Sequence, residues 1–390
     1  MSVRLGSERL LDSGRLNDAR VGVVCNPASV DGQLEHVADR LAAHPRARLA
    51  AIFGPQHGYR SDAQENMIET GHARDEARRV PIYSLYSETR EPTADMLRDL
   101  DVLVIDLQDV GTRIYTYIYT MANCLAAARK HGVKAIVCDR PNPIGGAAVE
   151  GPVLVPGFES FVGQYPIPMR HGMTIGELAR LFNDHFGLGA DLEVVTMEGW
   201  RRDIYADATG LPWVLPSPNI PTVDSAVVYP GTVLFEGTSA SEGRGTTRPF
   251  ELVGAPWVAS AERFADGMNR LDLPGVRFRP AVFEPTFHKH AGERCGGCQI
   301  HVLDRARFPA VETGVALIAA FRDAGPDRFA WRDPPYEYER EKRPFDILAG
   351  SAELREQIER GTSAHDIARA WQPAIDQFMR LRERFLLYDD

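Results

Sequence analysis

The first half of the chain alternates short apolar segments with segments of helical spacing, and this alternation constrains the fold more than any other feature. Six segments are apolar and rich in β-branched residues and are predicted to be strands: 20–30, 47–54, 80–86, 101–107, 133–142 and 192–197. Apolar residues recur at helical spacing in 34–44, 94–100, 115–132 and 173–187. Strands that are apolar on both faces and alternate with helices indicate an α/β fold with a parallel sheet covered on both sides.

The composition of the sequence changes near residue 200, where the helical periodicity ends. The segment 209–250 is dense in proline, glycine, serine and threonine, and we expect a long ordered connection that wraps the first domain. The patterns beyond it predict a helix at 260–271, strands at 276–287 and 298–304, a helix at 314–325 and a helical region at 351–385. The predicted domains are therefore an α/β domain over 1–250 and a smaller α+β domain over 251–390.

Three polar loops directly follow apolar strands of the predicted sheet. They read GPQHGYR (54–60), DLQDVGTR (106–113) and DRPNPIGG (139–146). The carboxyl ends of parallel strands share one edge of a sheet, and the loops at that edge form the binding crevice of such folds. We therefore expect the three loops to lie on one rim and to carry functional side chains.

Charge and composition exclude several classes of partner. The formal net charge of −10 argues against nucleic acid, whose binding needs a basic surface, and against anionic lipid. No apolar run reaches the roughly eighteen residues of a membrane span. The polar N-terminus lacks the apolar core of a secretory signal, and five cysteines make no disulfide framework. These features predict a cytoplasmic protein without a nucleic-acid or membrane partner. They do not exclude an anionic small ligand, and they leave open whether the protein is a monomer or a homodimer.

The glycine and cysteine motifs predict no cofactor. No G-x-G-x-x-G follows the first strand, and SEGRGTT (241–247) lacks the G-K-[ST] ending of a phosphate loop. CGGC (295–298) is a single cysteine pair, whereas a structural zinc site usually has two spaced ligand pairs. Because Cys298 begins an apolar segment, we interpret the motif as a turn that leads into a strand. We expect neither a nucleotide nor a metal.

The second and third rim loops carry most of the polar candidates. These are Asp106, Asp109, Arg113, Asp139, Arg140, Asn142 and Glu150. Asp106 ends an apolar strand, where a carboxylate must be hydrogen-bonded or exposed at a site. The alternative for Asp106 and Asp109 is capping of backbone amides, and for Asp139 and Arg140 it is a surface ion pair.

A further group of candidates lies in EGTSASEGRGTTRPFE (236–251). Small residues let a ligand approach the backbone closely, and Glu242, Arg244 and Thr246 stand among them. After the first rim loop, Glu65 is among the nearest carboxylates in the sequence. The alternative for Glu65 is a solvated helix face.

Taken together, these segments resemble the exo-β-N-acetylmuramidase family. The resemblance rests on FGPQHGYR, DLQDVGTRIYTYIYTM, DRPNPIGG, LPWVLPSPNIPT and YPGTVLFEGTSASEGRGTTRPFELVGAPW, and it runs in order from about residue 20 to 388. It implies a Rossmann-like N-terminal domain packed on a smaller C-terminal domain, with the site in the cleft between them. It also implies hydrolysis of a terminal β-1,4-linked N-acetylmuramic acid of peptidoglycan fragments, without metal or nucleotide.

The sequence departs from the family pattern in the first rim loop. That loop commonly reads G-P-E-H-G, with the glutamate as a catalytic candidate, whereas this chain has Gln56. An amide can act neither as a general acid nor as a general base. Either another carboxylate, such as Glu65, Glu88 or Glu150, takes the role, or the protein binds muropeptides without cleaving them or acts on another substrate. An amidase or esterase is a third alternative, although no G-x-S-x-G elbow is present.

Glycosidases typically use two carboxyl groups. One protonates the leaving oxygen, and the other acts as nucleophile or as base on water, unless the substrate's own acetamido group supplies the nucleophile. We expect Glu65 or Glu150 to be the acid, and Asp106 or Glu242 to orient water or the acetamido group.

The lactyl carboxylate of muramic acid needs a fork of donors, which arginine supplies better than lysine. Arg60, Arg113 and Arg244 are the candidates for that role, and His57 and Tyr117 are candidates for sugar hydroxyls. The remaining expected substrate contacts are Gln56, Glu88, Asp109, Asp139, Arg140, Asn142 and Thr246.

Overall fold

The computed structural model describes residues 2–65 and 67–389, and within them the first half of the chain forms a seven-stranded sheet. The strands of this half are β1 Arg20–Cys25, β2 Arg48–Gly54, β3 Ala73–Asp75, β4 Val80–Ser84, β5 Val102–Asp106, β6 Lys134–Cys138, β7 Glu150–Val153, β8 Pro168–Arg170 and β9 Leu192–Val195. The order in the sheet is β3-β4-β2-β1-β5-β6-β9, and β7 and β8 form a separate pair. The six predicted strands are confirmed as parallel neighbours. The antiparallel edge strand β3 lacks a sequence pattern because it has only three residues.

Helices cover both faces of this sheet. They are α1 Gly6–Leu11, α2 Val37–Ala42, α3 Ala94–Leu97, α4 Tyr117–His131 and α5 Ile175–Arg180, which continues into a π-helical turn, Leu181–His185. In β5, Leu103 and Ile105 pack in the core with α3, α4 and α5, whereas Val102 and Val104 pack in the core with α1 and α2. Alternate side chains of one strand thus enter two cores, which is why the strand is apolar throughout.

Two helix ends follow the sequence prediction. Thr174 accepts a hydrogen bond from the Glu177 backbone N–H while the Glu177 carboxylate accepts one from Thr174, which is a capping box at the start of α5. Gly132 ends α4 in the left-handed conformation, with φ of 69°. These local signals fix helix bounds to within about two residues of the prediction.

The segment after residue 200 is not only a connection, and here the sequence prediction was wrong. It contains helix α6, Val223–Thr232, followed by a 3₁₀ turn, Val233–Gly237. Pro230 and Gly231 lie inside α6, and burial along its length hides the polar face by which an amphipathic helix is recognised.

The second half of the chain forms a smaller α+β unit, as predicted. Its three-stranded antiparallel sheet has the order β10-β12-β11, with β10 Leu252–Ala255, β11 Val276–Phe283 and β12 Cys295–Val302. Its helices are α7 Ala261–Arg270, α8 Ala310–Ala324, α9 Pro344–Ala349, α10 Glu353–Glu359, α11 Ala364–Ala370 and α12 Gln372–Arg382. No helix in the described ranges has the length and apolar character needed to cross a membrane.

The CGGC motif lies within β12 rather than in a turn before it. Cys295 and Cys298 are buried free thiols, and the two glycines lie where β10 and β11 approach on either side. A Cβ on Gly297 would stand 2.0 Å from the carbonyl oxygen of Val253. The motif therefore serves close strand packing.

Helices α6 and α8 cross at a pair of glycines. A Cβ on Gly314 would stand 2.3 Å from the carbonyl oxygen of Gly231, a distance that only backbone movement can relieve. We expect Gly314→Ala to lower the free energy of unfolding by about 1–3 kcal/mol in urea denaturation. Gly267→Ala is the matched control, because Gly267 is exposed in α7 with open space around it; we expect a gain of about 0.5–1 kcal/mol. Equal effects of the two substitutions would contradict the crossing.

Candidate active site

The three rim loops meet at the carboxyl edge of the sheet, as predicted. Thr116, at the start of α4, donates a hydrogen bond to Gln56 Oε1 in the loop after β2, at 2.7 Å. Arg140, after β6, contacts Asp106 at the end of β5. One rim therefore collects side chains from three loops.

A narrow pocket lies between this rim and the C-terminal half of the chain. Its N-terminal wall consists of Gln56, His57, Ile114, Tyr115, Thr116, Tyr117, Val162, Ser217, Asn219 and Ile220. Its C-terminal wall consists of Tyr229, Glu236, Arg244, Phe250, Tyr336 and Glu337.

Glu337 is a buried carboxyl group in the wall of this pocket. Only 2% of its surface is exposed. Gln56 Nε2 donates to Glu337 Oε1 at 3.0 Å, and the Tyr86 hydroxyl donates to Oε2 at 2.8 Å. Burial raises the pKa of Glu337 to about 7, although both hydrogen bonds and the nearby Arg244 act in the opposite direction. A carboxyl with this pKa can hold and release a proton near neutrality.

A tight turn presents Glu337 to the pocket. Tyr336 and Glu339 exchange two backbone hydrogen bonds of 2.9 Å, and the two residues between them have positive φ, 45° at Glu337 and 71° at Tyr338. Two positive φ values define a type I′ turn, which usually takes asparagine or glycine. Side chains in this backbone conformation are strained, and such strain concentrates at functional sites.

A chain of alternating charges begins in the same wall of the pocket. Arg244 Nη2 lies 2.6 Å from Glu236, whose other oxygen accepts a hydrogen bond from the Tyr336 hydroxyl at 2.5 Å. Glu242 follows, 3.4 Å from Arg244 Nε and 2.6 Å from Lys289 Nζ. Burial disfavours the charge of Glu242, but Lys289, His288 and Arg244 together hold the pKa of this carboxyl below its ordinary range.

The hydrogen bonds of His57 define its tautomer. Its Nδ1 lies 2.7 Å from the carbonyl oxygen of Ala63, and because a carbonyl only accepts, Nδ1 carries the proton. Burial lowers the pKa of His57 to about 4, so the ring is neutral at pH 7. Its Nε2 is then an acceptor, suited to a hydroxyl group.

Comparisons with known proteins bear on this arrangement. Family models described as exo-β-N-acetylmuramidase NamZ match the chain over residues 21–224 for the N-terminal model and 227–388 for the C-terminal model. The chain belongs to the NamZ family. It is 49% identical over 388 residues to the peptidoglycan β-N-acetylmuramidase NamZ of Bacillus subtilis, covering 99% of this chain and 91% of that one.

Two solved structures of DUF1343 family proteins from Bacteroides fragilis share the fold. One has a TM-score of 0.89 at 38% identity and covers 99% of both chains. The other has a TM-score of 0.78 at 29% identity and covers 100% of both chains. The α/β architecture described above is therefore the architecture of these NamZ-like relatives.

Four of the residues singled out from the sequence line the pocket of this NamZ family member: Gln56, His57, Tyr117 and Arg244. The Tyr117 hydroxyl donates a hydrogen bond to the carbonyl oxygen of Pro216 at 2.9 Å. Glu242 stands behind Arg244 and is fully buried. The first rim loop and the EGTSASEGRG segment thus come together although they are far apart in sequence.

Asp106 and Arg140 form a buried ion pair beneath the rim. Arg140 Nη1 lies 2.9 Å from Asp106, and Nη2 donates to the carbonyl oxygens of Ala28 and Val30. Arg140 therefore pairs with Asp106 and not, as the sequence alternative had it, with Asp139. The pair joins the loops after β1, β5 and β6, and Asp106 does not line the pocket.

Asp139 follows β6, contacts the start of α5 and does not line the pocket. It accepts hydrogen bonds from the Thr174 hydroxyl, the Gly176 backbone N–H and the Tyr388 hydroxyl, at 2.6–2.8 Å. Burial raises the pKa of Asp139 to about 7. Its partners connect β6, α5 and the C-terminal segment.

Asp109 and Asn142 also make local contacts. Asp109 accepts from the Gly111 backbone N–H at 2.7 Å, as in the capping alternative, and faces His171. Asn142 bonds the backbone of Ile144 and Met173.

Glu150 and Arg113 are held by other partners. Glu150 is 2.5 Å from Arg170 and accepts from the Val311 backbone N–H. Arg113 is fully buried and donates to the carbonyl oxygens of Leu348 and Ala349 at the C-terminal end of α9. That helix end attracts positive charge, so Arg113 connects the two halves of the chain.

The remaining candidates lie outside the pocket wall. Arg60 is exposed, Glu88 is exposed 3.2 Å from His72, and the Thr246 hydroxyl donates to the carbonyl oxygen of Gly243. Glu65 is half-buried in the loop after His57. Its neighbour Gln64 exchanges two hydrogen bonds with Asn219 of the pocket wall, which brings the Glu65 backbone close to the pocket.

Two pocket carboxylates were not among the expected catalytic residues: Glu236 and Glu337. Glu236 lies in the segment 236–251. The signal available in the sequence was the high charge of this segment, which also contains Arg244. Glu337 lies in PPYEYE (334–339), a short aromatic and acidic stretch without periodicity. Among the described residues, no group of three histidine, cysteine or acidic side chains is arranged to hold a metal.

The raised pKa of Glu337 makes stability depend on pH. The folded state keeps the carboxyl protonated up to about pH 7, while the unfolded chain ionises near pH 4.5, so stability present at low pH is lost as pH rises to 7 and beyond. We expect the free energy of unfolding of Glu337→Gln, relative to the unmodified protein, to rise by roughly 2–3 kcal/mol between pH 5 and pH 8.

Urea denaturation at four pH values measures this difference. Asp139 titrates in the same range in both proteins and cancels from it. Any hydrogen bond that glutamine loses gives an offset that does not vary with pH. Glu341→Gln, an exposed glutamate two residues after the turn, is the control. Parallel pH curves for the Glu337 variant and the unmodified protein would contradict the burial of a protonated carboxyl.

Proposed function

We propose that this protein is an exo-acting glycosidase that releases terminal β-1,4-linked N-acetylmuramic acid from peptidoglycan fragments. The observation that carries the proposal is Glu337, a buried carboxyl with a pKa near 7 in a pocket that contains a second carboxylate, Glu236. Glycoside hydrolysis requires one carboxyl group with a raised pKa and a second carboxylate, here an ion-paired one, in the same pocket. The name of the Bacillus subtilis relative supports the substrate class.

Glu337 is the proposed proton donor to the leaving oxygen. Because burial raises its pKa to about 7, a large fraction of the molecules keep this proton at neutral pH, and Gln56 and Tyr86 fix both of its oxygens. The departing sugar needs that proton because an alkoxide is a poor leaving group. An amide at position 56 is compatible with this role. A second carboxyl there, 3.0 Å from Glu337, would have to share its proton.

Glu236 is the proposed stabiliser of the positive charge that develops on the sugar ring. The transition state of glycoside cleavage resembles an oxocarbenium ion, which a nearby carboxylate stabilises. The ion pair with Arg244 and the hydrogen bond from Tyr336 hold Glu236 in one orientation. Glu242, placed behind Arg244, then acts as a positioning residue.

Recognition of the terminal sugar is assigned to two residues of the pocket wall. Arg244 is proposed to contact the lactyl carboxylate, since it is the candidate arginine that lines the pocket. The His57 Nε2 acceptor suits a sugar hydroxyl. The description of the matching family models as exo-β-N-acetylmuramidase supports exo action over cleavage within a chain.

Glu65 is retained as a second candidate for the acid, because its loop is tied to the pocket through Gln64 and Asn219. For the setting we propose the cytoplasm, where imported wall fragments would be the substrate. The five cysteines support a reducing compartment, because all are free thiols in the structure. Cell fractionation with an antibody to the chain tests the compartment.

The test of activity uses the disaccharide MurNAc-β-1,4-GlcNAc. We expect the purified protein, without added metal, to release free N-acetylmuramic acid, followed by mass spectrometry. Disaccharide binding with no release would overturn the proposal in favour of a binding protein. If the disaccharide is neither cleaved nor bound, the substrate is another one.

Glu337→Gln separates acid catalysis from a structural role. We expect kcat on the disaccharide to fall by 10²–10⁴-fold, the usual contribution of general acid catalysis. The loss should be much smaller on 4-nitrophenyl β-N-acetylmuraminide, because nitrophenolate departs without protonation. Glu65→Gln and Glu341→Gln are measured in parallel. If Glu337→Gln lowers kcat equally on both substrates, Glu337 is not the acid. If Glu65→Gln lowers kcat on the disaccharide but not on the nitrophenyl substrate, Glu65 is the acid instead.

A further inference from the structure

A second cavity opens on the other side of Glu337. This outer groove is wider and more open than the pocket. It is lined by Arg90, Asn123, Glu159, Ser160, Phe161, Gln164, Glu337, Tyr338 and Glu339. Glu337 therefore lines both cavities and lies at the boundary between them.

Two tight turns form this boundary. In the turn 336–339, Tyr336 lines the pocket and Tyr338 lines the outer groove. In the turn 160–163, closed by backbone hydrogen bonds between Ser160 and Gly163, Val162 lines the pocket and Phe161 lines the outer groove. Each turn thus sends one side chain to each cavity.

The outer groove offers aromatic surface to a ligand. Phe161 is half-buried, and its ring stands edge-on to Tyr338, with 6.2 Å between centroids and 90° between planes. Arg90 lies over the Tyr338 ring at 3.7 Å from its centroid, and the Tyr338 hydroxyl donates to Glu69. Tyr338 keeps 47% of its surface exposed, and Phe161, which also packs on Tyr86 with 5.3 Å between ring centroids, forms the second aromatic surface of the groove.

The charge of the groove selects among ligands. The carboxylates of Glu159 and Glu339 line it with Arg90 as the cation, so the lining does not favour an anionic sugar or peptide. The side-chain amides of Asn123 and Gln164 border it and suit hydroxyl and acetamido groups. A neutral N-acetylated hexosamine fits this chemistry.

We propose that the outer groove is the subsite for the leaving sugar, a neutral N-acetylhexosamine packed on Phe161. This assignment rests on the proposed function. The terminal sugar occupies the pocket, the glycosidic oxygen lies beside Glu337, and the sugar that departs lies in the groove. On cleavage the bond from the anomeric carbon to this oxygen breaks and Glu337 transfers its proton to the oxygen. Water then adds its hydroxyl to the anomeric carbon, and its remaining proton restores the Glu337 carboxyl.

Phe161→Ala tests the subsite, with Phe158→Ala as the matched control because Phe158 is half-buried on the same segment and does not line the groove. We expect Phe161→Ala to weaken inhibition by the product GlcNAc about tenfold, the size of a lost ring contact, and to leave inhibition by MurNAc unchanged. The value of kcat/KM on MurNAc-β-1,4-GlcNAc should fall by a similar factor. Phe158→Ala should change neither quantity.

A binding measurement keeps this test separate from that of the proposed function. Saturation-transfer NMR detects GlcNAc on the unmodified protein whether or not the disaccharide is cleaved. Loss of that signal in Phe161→Ala, with the melting temperature unchanged, supports the subsite. An absent GlcNAc signal on the unmodified protein, or a signal and GlcNAc inhibition that survive Phe161→Ala, would overturn it even if N-acetylmuramic acid is released.

Discussion

The hydrogen bond from Gln56 to Glu337 is the contact on which the rest of the site depends. It joins the loop after β2 to the turn 336–339, two segments 281 residues apart, and it lies at the boundary between the pocket and the outer groove. If this contact opened, water would reach the carboxyl and its pKa would return toward the ordinary value near 4.5. Closure of the two halves of the chain and the acidity of Glu337 are therefore one property of the structure.

The site separates its carboxylates by the partners it gives them. Glu337 has neutral donors, Gln56 and Tyr86, so burial dominates and its pKa is raised. Glu242 has cationic neighbours, so its pKa is lowered although it is equally buried. Environments that push the pKa values of carboxyl groups apart in this way support the proposal that Glu337 is the acid. Asp106 lies outside the pocket and is paired with Arg140.

The sequence was sufficient for the architecture of the first half and for the location of the rim. Apolar runs such as 101–107 report burial on both faces, which is a local consequence of a parallel sheet. It was insufficient for α6, whose internal Pro230 and Gly231 imitate a loop and are accommodated only by packing against α8. Its burial left no polar face from which the helix could have been recognised.

The sequence was likewise sufficient for some residues of the candidate site and insufficient for others. Gln56, His57 and Arg244 stand in loops with distinctive composition, and the structure brings them to one pocket. Asp106 and Arg113 carry the same chemical signal, but the interior uses their charges for ion pairing and for a helix end. Glu337 acquires its chemistry from tertiary burial alone, so no pattern in PPYEYE could have assigned it a pKa.

The pH dependence of kcat/KM on MurNAc-β-1,4-GlcNAc tests the central claim most directly, because it reports the ionisation of the free enzyme. If Glu337 is the proton donor, the rate is highest while the carboxyl is protonated and falls above about pH 7, tenfold for each further pH unit. The same decline is predicted for Glu65→Gln. A rate that stays constant from pH 6 to pH 9, or a decline that Glu65→Gln abolishes, would contradict the assignment of Glu337.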